Sequence, residues 1–303
     1  MERDVKIMIA NTDYCVRATA ANGQIRAFVA DTRFLVNTAA SIHKTSAVAS
    51  AALGRTLTAA AIMGIMTGND SDFITIHIKG DGPIGGVMAV SKGTGTVKGY
   101  VNNPEVDIID HPNGKLNVAG IVGKGSLTVT KDLGLKEPYS GSLDLVSGEI
   151  AQDLANYFLV SEQVPTALSL GVLVDKDLSI KRAGGFLIQL MPFATDEVVQ
   201  TLEEKLSDFP NITTLLESGK QATNIMDMLL SNFGYEILQS QPLSYQCDCS
   251  KQRCEKVLIS IGADELQKII EEDGKACISC HFCKNNYIFD EQELHLLINS
   301  LGE

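Results

Sequence analysis

The chain has 303 residues, a formal net charge of −12 and a sequence pI near 4.9. An acidic chain of this kind repels the phosphate backbone of nucleic acids, and its basic residues form no cluster, so we expect no nucleic-acid partner. Residues 1–6 carry acidic side chains and no apolar run, so we expect no secretory signal. Cysteines at metal-binding spacing favour a reducing compartment, and we expect a cytoplasmic protein.

The first predicted element is a β-hairpin. Residues 14–19 and 25–30 alternate as strands do, and they flank Asn22-Gly23, a pair that favours a two-residue type I′ turn. Cys15 lies in the first of these strands, where we expect a packed thiol.

A long helix of small residues is predicted over about residues 45–67. The stretch 46–68 is long enough to span a bilayer and contains one charged residue, Arg55. A charge at the bilayer centre costs about 2.5 to 3.5 kcal/mol, and large apolar side chains are few here. We therefore expect a buried core helix and no membrane partner.

The segment 80–85 matches the dinucleotide fingerprint G-x-G-x-x-G after a predicted strand at residues 73–79. That fingerprint also requires a helix to begin there, so that its first N–H groups can bind the pyrophosphate. Pro83 interrupts the segment, and residues 86–91 have the pattern of a returning strand. A hairpin is therefore favoured over a nucleotide site.

The chain continues with more strands, one longer helix and then several short helices. Further strands are expected at residues 97–101, 116–118, 126–130, 141–145, 169–174 and 185–190. Ser147 is the expected N-cap of a helix with an apolar face. From Thr195 to about Ser240, the apolar positions indicate helices too short to be stable unless they pack on another surface.

These patterns predict an α+β protein in three parts. Residues 1–193 form a mixed domain with a β-sheet core and packed helices, residues 194–241 a helical linker, and residues 242–303 a small zinc-binding α+β domain. A domain as small as the third rarely folds by its core alone, so its fold should depend on a metal. Its final helix is predicted to begin in a capping box of Asp290 and Glu293.

Six of the seven cysteines lie between Cys247 and Cys283. A C-x-C pair and a C-x-x-C pair supply four thiolates, the donor set of a structural zinc site, and we predict one zinc per chain. The favoured ligands are Cys247, Cys249, Cys280 and Cys283. Two further cysteines, Cys254 and Cys277, are able to replace a neighbour in this set or to be spare thiols, and His281 is a weaker candidate.

A closed four-sulfur site leaves no open coordination position, so we expect a protein that is not an enzyme. Two interpretations remain open at this stage: a static structural zinc, or a redox switch in which an oxidant attacks the thiolates and the metal leaves. A zinc-ribbon module for nucleic acids is a rival that the acidic charge disfavours. A thiol oxidoreductase is another, but the C-x-x-C lacks an adjoining βαβ pattern.

Motifs spread over the whole chain resemble those of the heat shock protein 33 family of redox-regulated bacterial chaperones. The matching segments are residues 51–59, 80–85, 131–134, 161–165 and 184–192, and in the C-terminal part Cys247-x-Cys249-Ser-x-x-Arg253, Glu272-Asp-Gly274 and Cys280-x-x-Cys283 followed by Tyr287 and Phe289.

The resemblance implies the same four zinc ligands that the spacing favours. It implies disulfides between Cys247 and Cys249 and between Cys280 and Cys283 after oxidation. It further implies an ATP-independent holdase, in which zinc release unfolds the C-terminal domain and the linker, exposes apolar surface to unfolding client proteins and favours a homodimer. Cys254 falls outside this pattern, as does Cys277, and both leave room for alternative disulfides.

Overall fold

The computed structural model describes residues 12–106 and 116–301. Contacts between Cα atoms divide the chain into two compact units, Met1–Gln246 and Cys247–Glu303. Both units contain helices and strands, which confirms the predicted α+β class. The boundaries predicted at residues 193 and 241 stay a prediction.

The first unit contains eleven strands and seven α-helices among its described residues. The strands are β1 (Tyr14–Ala20), β2 (Ile25–Asp31), β3 (Phe73–Gly80), β4 (Val87–Lys92), β5 (Thr96–Val101), β6 (Gly125–Asp132), β7 (Tyr139–Asp144), β8 (Thr166–Val174), β9 (Ile180–Leu190), β10 (Tyr235–Pro242) and β11 (Ser244–Tyr245). The helices are α1 (Arg33–His43), α2 (Ala47–Thr67), α3 (Val118–Val122), α4 (Ala151–Ser161), α5 (Asp196–Ser207), α6 (Ile212–Glu217) and α7 (Ala222–Leu230).

These strands form two sheets. The first has five antiparallel strands in the order β10-β1-β2-β9-β8. The second has six strands in the order β11-β5-β4-β3-β6-β7, antiparallel except for the parallel pair of β11 and β5. Strands close in sequence are mostly neighbours in these sheets, which is why local hairpin patterns predicted much of the architecture.

Helix α2 packs against strands of both sheets. Its length and apolar composition are those of a membrane span, but 94% of the relevant window is buried inside the protein. This confirms the predicted core helix. Small residues allow α2 to lie close to α1 and β8. A Cβ added at Gly54 would be 2.6 Å from a methyl carbon of Val36 on α1 and 2.7 Å from one of Val172 on β8.

The other face of the five-stranded sheet is covered by α5, α6 and α7. Alternation along β1 separates the two faces, because Val16 and Ala18 pack under these helices whereas Cys15 packs into the core around α2. Cys15 is 1% exposed, and burial raises the pKa of its thiol to about 12. It is the packed thiol that the sequence predicts.

The predicted hairpins are present, with one difference in the first turn. Ala20 pairs with Ile25, so Asn22-Gly23 lie at the centre of a four-residue loop and do not form a two-residue turn; Ala21, Asn22 and Gly23 all have positive φ. At the G-x-G-x-x-G segment, β3 pairs directly with β4, and no helix begins there. The hairpin interpretation is therefore correct.

Two local predictions in the first unit are wrong. Residues 116–118, predicted as a strand, lead instead into helix α3, which Asn117 caps by accepting a hydrogen bond from Gly120. Ser147 is not an N-cap, because α4 begins at Ala151. The carboxylate of Asp153 accepts the N–H groups of Val146, Ser147, Gly148 and Ile150, which folds this segment into a loop before the helix.

Two further elements were not predicted. Helix α1 is capped from a distance: Asp13 accepts hydrogen bonds from the N–H groups of Phe34 at 3.0 Å and Leu35 at 2.5 Å. The hydroxyl of its own N-cap, Thr32, makes no capping bond and pairs with that of Thr58. The helical stretch predicted up to about Ser240 is also wrong at its end, because strand β10 begins at Tyr235 and pairs with β1.

The second unit contains α8 (Lys251–Ile261), α9 (Ala263–Asp273), the hairpin of β12 (Lys275–Ser279) and β13 (Asn286–Asp290), and α10 (Glu291–Ser300). Its core is small. The described residues buried in it are Cys254, Leu258, Leu266, Ile270, Ala276, Phe289 and Leu294. The predicted capping box is confirmed, because Asp290 accepts from the N–H of Glu293 and Glu293 accepts from the N–H of Asp290.

Candidate metal centre

The four favoured cysteines of the second unit come together in the structure. Their Sγ atoms all lie within 4.8 Å of one another. The Sγ atoms of Cys249 and Cys283 are 3.2 Å apart, and those of Cys247 and Cys280 are 3.7 Å apart. Two sulfurs of a regular tetrahedral zinc site with bonds of about 2.3 Å would be about 3.8 Å apart, so the cluster has the donor type and the size that such an ion requires.

The C-x-C pair lies in a segment without helix or strand structure just before α8. Ser250 follows it and caps that helix by accepting a hydrogen bond from the N–H of Arg253. The side chain of Arg253 turns back to form an ion pair with Asp248, the residue between the two cysteines, at 3.0 Å. The cap and the ion pair connect the segment that carries both cysteines to the first turn of α8.

The C-x-x-C pair occupies the turn between β12 and β13. Cys280 donates its N–H to the carbonyl of Asn285 at 2.9 Å, and its own carbonyl accepts from the N–H of Lys284 at 2.9 Å. Lys284 has a φ of 59°, the left-handed conformation that tightens the loop. Ser279 pairs with Asn286 at the end of the hairpin, so Cys280 and Cys283 both lie in the tight turn between these two residues.

Side-chain contacts hold α8 and α10 of this unit together beside the cluster. Lys251 forms an ion pair with Glu293 at 2.5 Å, and its ammonium group lies 5.0 Å from the ring centroid of Phe289. Phe289 is almost completely buried in the small core. The start of α8, which follows the C-x-C pair directly, is thus anchored to α10.

Burial and the closeness of the sulfurs shift the pKa values of three of the thiols. Burial, together with contacts to the other sulfurs, raises the pKa values of Cys247 and Cys283. Burial also raises the pKa of Cys249, but hydrogen bonds from the Tyr287 hydroxyl and from Cys283 outweigh it and lower that pKa to about 7. A negative charge is therefore favoured on Cys249, whereas Cys247 and Cys283 resist ionisation, because like charges this close repel. A divalent cation is the charge that would let all four be thiolates together.

The remaining candidates are placed elsewhere. Within the described residues, the group able to hold a metal contains neither Cys254, Cys277 nor His281. Cys254 is buried in the core on α8, and Cys277 is exposed on β12 opposite Ile288. The hydroxyl of Tyr287, 3.1 Å from the Sγ of Cys249, was not predicted as part of the site, because this contact depends on how β13 is placed beside the C-x-C pair.

Comparison with known proteins agrees with this geometry. A family model described as "Hsp33 protein" matches residues 13–290. The chain belongs to the Hsp33 family. A protein named "33 kDa chaperonin" from Clostridioides difficile strain 630 is 51% identical over 283 residues, which are 93% of this chain and 97% of that protein. One with the same name from Desulforamulus reducens is 44% identical over 292 residues, 96% of this chain and 99% of that protein.

The solved structures include an Hsp33 relative of the same overall architecture. The crystal structure of the 33 kDa chaperonin, an Hsp33 homologue, from Thermotoga maritima superposes with a TM-score of 0.88 at 35% sequence identity. The match covers 96% of this chain and 99% of that one. The whole Hsp33 fold is therefore present in this chain.

Proposed function

We propose that this protein is a molecular chaperone of the cytoplasm that binds unfolding client polypeptides without ATP and is activated by oxidation of its zinc-bound cysteines. The proposal rests on the four-sulfur cluster. The cluster belongs to a unit with a small core, in a chain whose relatives are named chaperonins. The proposed ligands of one zinc ion are Cys247, Cys249, Cys280 and Cys283. Zinc would hold four deprotonated sulfurs in place and stabilise the fold around them.

The chemistry of activation follows from the pairing of the thiolates. One thiolate attacks the O–O bond of hydrogen peroxide and becomes a sulfenic acid while hydroxide leaves, and a neighbouring thiolate then displaces a second hydroxide from that sulfur. Two thiolates and one peroxide thus give one disulfide and two hydroxides. Two such events would use all four cysteines as disulfides and leave no thiolate to hold the metal.

We propose the pairs Cys247–Cys249 and Cys280–Cys283. Each pair joins residues close in sequence, so it can form and persist after the unit has unfolded. In the folded cluster the short Sγ distances join the two motifs instead, at 3.2 Å for Cys249 with Cys283 and 3.7 Å for Cys247 with Cys280. The pairing is therefore a question for peptide mapping of the oxidised protein, and a majority of disulfides between the two motifs would contradict it.

Loss of the metal should unfold the second unit, because its buried core is too small to be stable alone. Structural zinc contributes about 10 to 16 kcal/mol in small zinc-binding peptides, a stabilisation that this core cannot replace. Helices α5, α6 and α7 of the first unit have 12, 6 and 9 residues, so each depends on its packing against the sheet. We propose that they are loosened in the active state.

Release of these helices would uncover the apolar face of the five-stranded sheet. That face includes the buried side chains of Val16, Ala18, Ile25, Ala27 and Val29. A contiguous apolar surface of this kind can bind the exposed apolar segments of an unfolding protein, and it can also bind a second copy of this chain. We therefore propose a homodimer in the oxidised state.

The decisive experiment measures zinc content and suppression of a model client's thermal aggregation in parallel, before and after peroxide at mildly elevated temperature. We expect zinc release together with new anti-aggregation activity, both reversed by dithiol and zinc. Light scattering on the same samples reports the dimer. Retained zinc without gained activity would instead indicate a static structural site and reject the redox switch.

A further inference from the structure

The hydroxyl of Tyr287 lies 3.1 Å from the Sγ of Cys249. Tyr287 is on β13, where it pairs with Ile278 of β12, and its ring packs against the edge of the small core of the second unit. The strand pairing and the packing fix the ring, so its hydroxyl is held at this sulfur. When Cys249 is a thiolate it has no proton to give, and the hydroxyl of Tyr287 is then the donor in this contact.

The neighbouring sulfurs receive hydrogen bonds of another kind. The backbone N–H groups of Cys249 and Asn285 oppose the effect of burial on the pKa values of Cys247 and Cys283, respectively. Because these donors are backbone N–H groups, only a substitution to proline at Cys249 or Asn285 would remove them. The donor to Cys249 is a side-chain oxygen, and replacing Tyr287 with Phe deletes it with almost no change in shape.

We infer that Tyr287 is a positioning residue that restrains the reactivity of the Cys249 thiolate and thereby sets how readily the cluster is oxidised. A charge-assisted hydrogen bond draws electron density from sulfur and occupies one of its lone pairs, and both effects slow attack on an oxidant. The inference rests on the proposed function insofar as oxidation of this cluster activates the protein. The hydrogen bond itself is testable without any chaperone assay.

The first test compares the wild type with Tyr287→Phe after each is loaded with Co²⁺ in place of zinc. We expect one metal per chain in both proteins and a shift of the sulfur-to-cobalt charge-transfer bands to lower energy in the variant, because a sulfur without its donor is more electron-rich. Tyr235→Phe is the matched control: it removes a hydroxyl that contacts Asp227 at 3.2 Å in the first unit, and it should leave the bands unchanged.

The second test measures the rates of peroxide-driven zinc release and of alkylation of Cys249 by iodoacetamide, followed by mass spectrometry of the peptides. Both should be about three- to tenfold faster in Tyr287→Phe than in the wild type, the size expected when part of a hydrogen bond to a charged group is lost from the ground state. Tyr235→Phe should react at the wild-type rate.

A fluorinated protein covers the case in which Tyr287→Phe fails to hold metal. Replacing Tyr287 with 3-fluorotyrosine makes the hydroxyl at this position a stronger hydrogen-bond donor, so alkylation of Cys249 should become slower. Unchanged cobalt bands together with unchanged rates, or slower reaction in Tyr287→Phe, would overturn the role of Tyr287. If the wild type keeps its zinc under peroxide, the proposed redox switch is rejected. The cobalt bands and the alkylation rates still show whether the hydroxyl of Tyr287 donates a hydrogen bond to Cys249.

Discussion

The hydroxyl of Tyr14 accepts a hydrogen bond from the backbone N–H of Ala222 at 3.2 Å. Tyr14 begins β1, and Ala222 begins α7, more than two hundred residues later, and both side chains are buried. Because the first N–H groups of a helix lack partners within it, this contact satisfies one of them from the surface on which the helix packs. It ties α7 to the first strand of the sheet that α7 covers.

Replacement of Tyr14 with Phe should therefore destabilise the packing of α7. The N–H of Ala222 would be left buried without this acceptor, at a cost of about 1 to 3 kcal/mol. We expect a lower denaturation midpoint for the reduced, zinc-loaded protein and activation by peroxide at a lower temperature. The measurement is urea unfolding, with Tyr139→Phe as the control, since Tyr139 is exposed on β7 of the other sheet. A midpoint equal to that of the wild type would argue against the role of this bond.

The buried carboxyl group of Asp13 should make stability depend on pH. Burial raises its pKa from 3.8 to about 7, and the hydrogen bonds from Leu35 and Phe34 only partly oppose this. Between about pH 4 and about pH 7 the folded state therefore binds a proton that the unfolded state has lost. The contribution of Asp13 to stability is full below this range and falls as pH rises through it, by up to about 1.4 kcal/mol per pH unit.

The variant Asp13→Asn has no proton to exchange at this position. It loses part of the cap of α1, so it should be less stable overall, but the difference from the wild type should shrink as pH rises from 4 to 7. Thermal unfolding at several pH values measures this difference. A constant difference across the range would show that the pKa of Asp13 is ordinary.

Substitutions at the cysteines should divide them into two groups. Cys280→Ser or Cys283→Ser should abolish stoichiometric zinc and make the second unit sensitive to protease, because the site loses a thiolate and the small core cannot replace the metal. Cys254→Ser and Cys277→Ser should keep one zinc per chain, although the first places a hydroxyl in the buried core at a cost of about 1 to 3 kcal/mol. Zinc content and limited proteolysis of the four variants check this. Loss of zinc in the second group would overturn the assignment of the ligands.

Replacing Gly54 of helix α2 with Ala should lower the free energy of unfolding, which is the opposite of the usual effect of this substitution in a helix. Gly to Ala in a helix normally stabilises by about 1 kcal/mol. At Gly54, however, the new methyl group would meet Val36 and Val172, stiff β-branched residues, at 2.6 and 2.7 Å. We expect Gly54→Ala to destabilise the first unit by about 1 to 3 kcal/mol, measured by urea unfolding. A stabilised variant would mean that the two valines can move aside.

The elements that the sequence predicted correctly are those whose cause is local. The returning strand after the G-x-G-x-x-G segment follows from alternation and from Pro83, and the start of α10 follows from a capping box of Asp290 and Glu293. The elements that were missed or misplaced have causes elsewhere in the chain. Helix α1 is capped by Asp13, which precedes β1, and the loop before α4 is organised by Asp153, which lies inside that helix.

Sequence alone determined the class of the fold, the buried position of α2 and the four cysteines that converge. Each follows from a local pattern: alternation for the strands, composition for α2 and ligand spacing for the cysteines. Tertiary structure alone decided that β10 extends the first sheet, that Tyr14 holds α7 and that Tyr287 reaches Cys249. These contacts join residues distant in sequence. They exist only once sheet register and helix packing have fixed the directions of the side chains, and no local pattern specifies those directions.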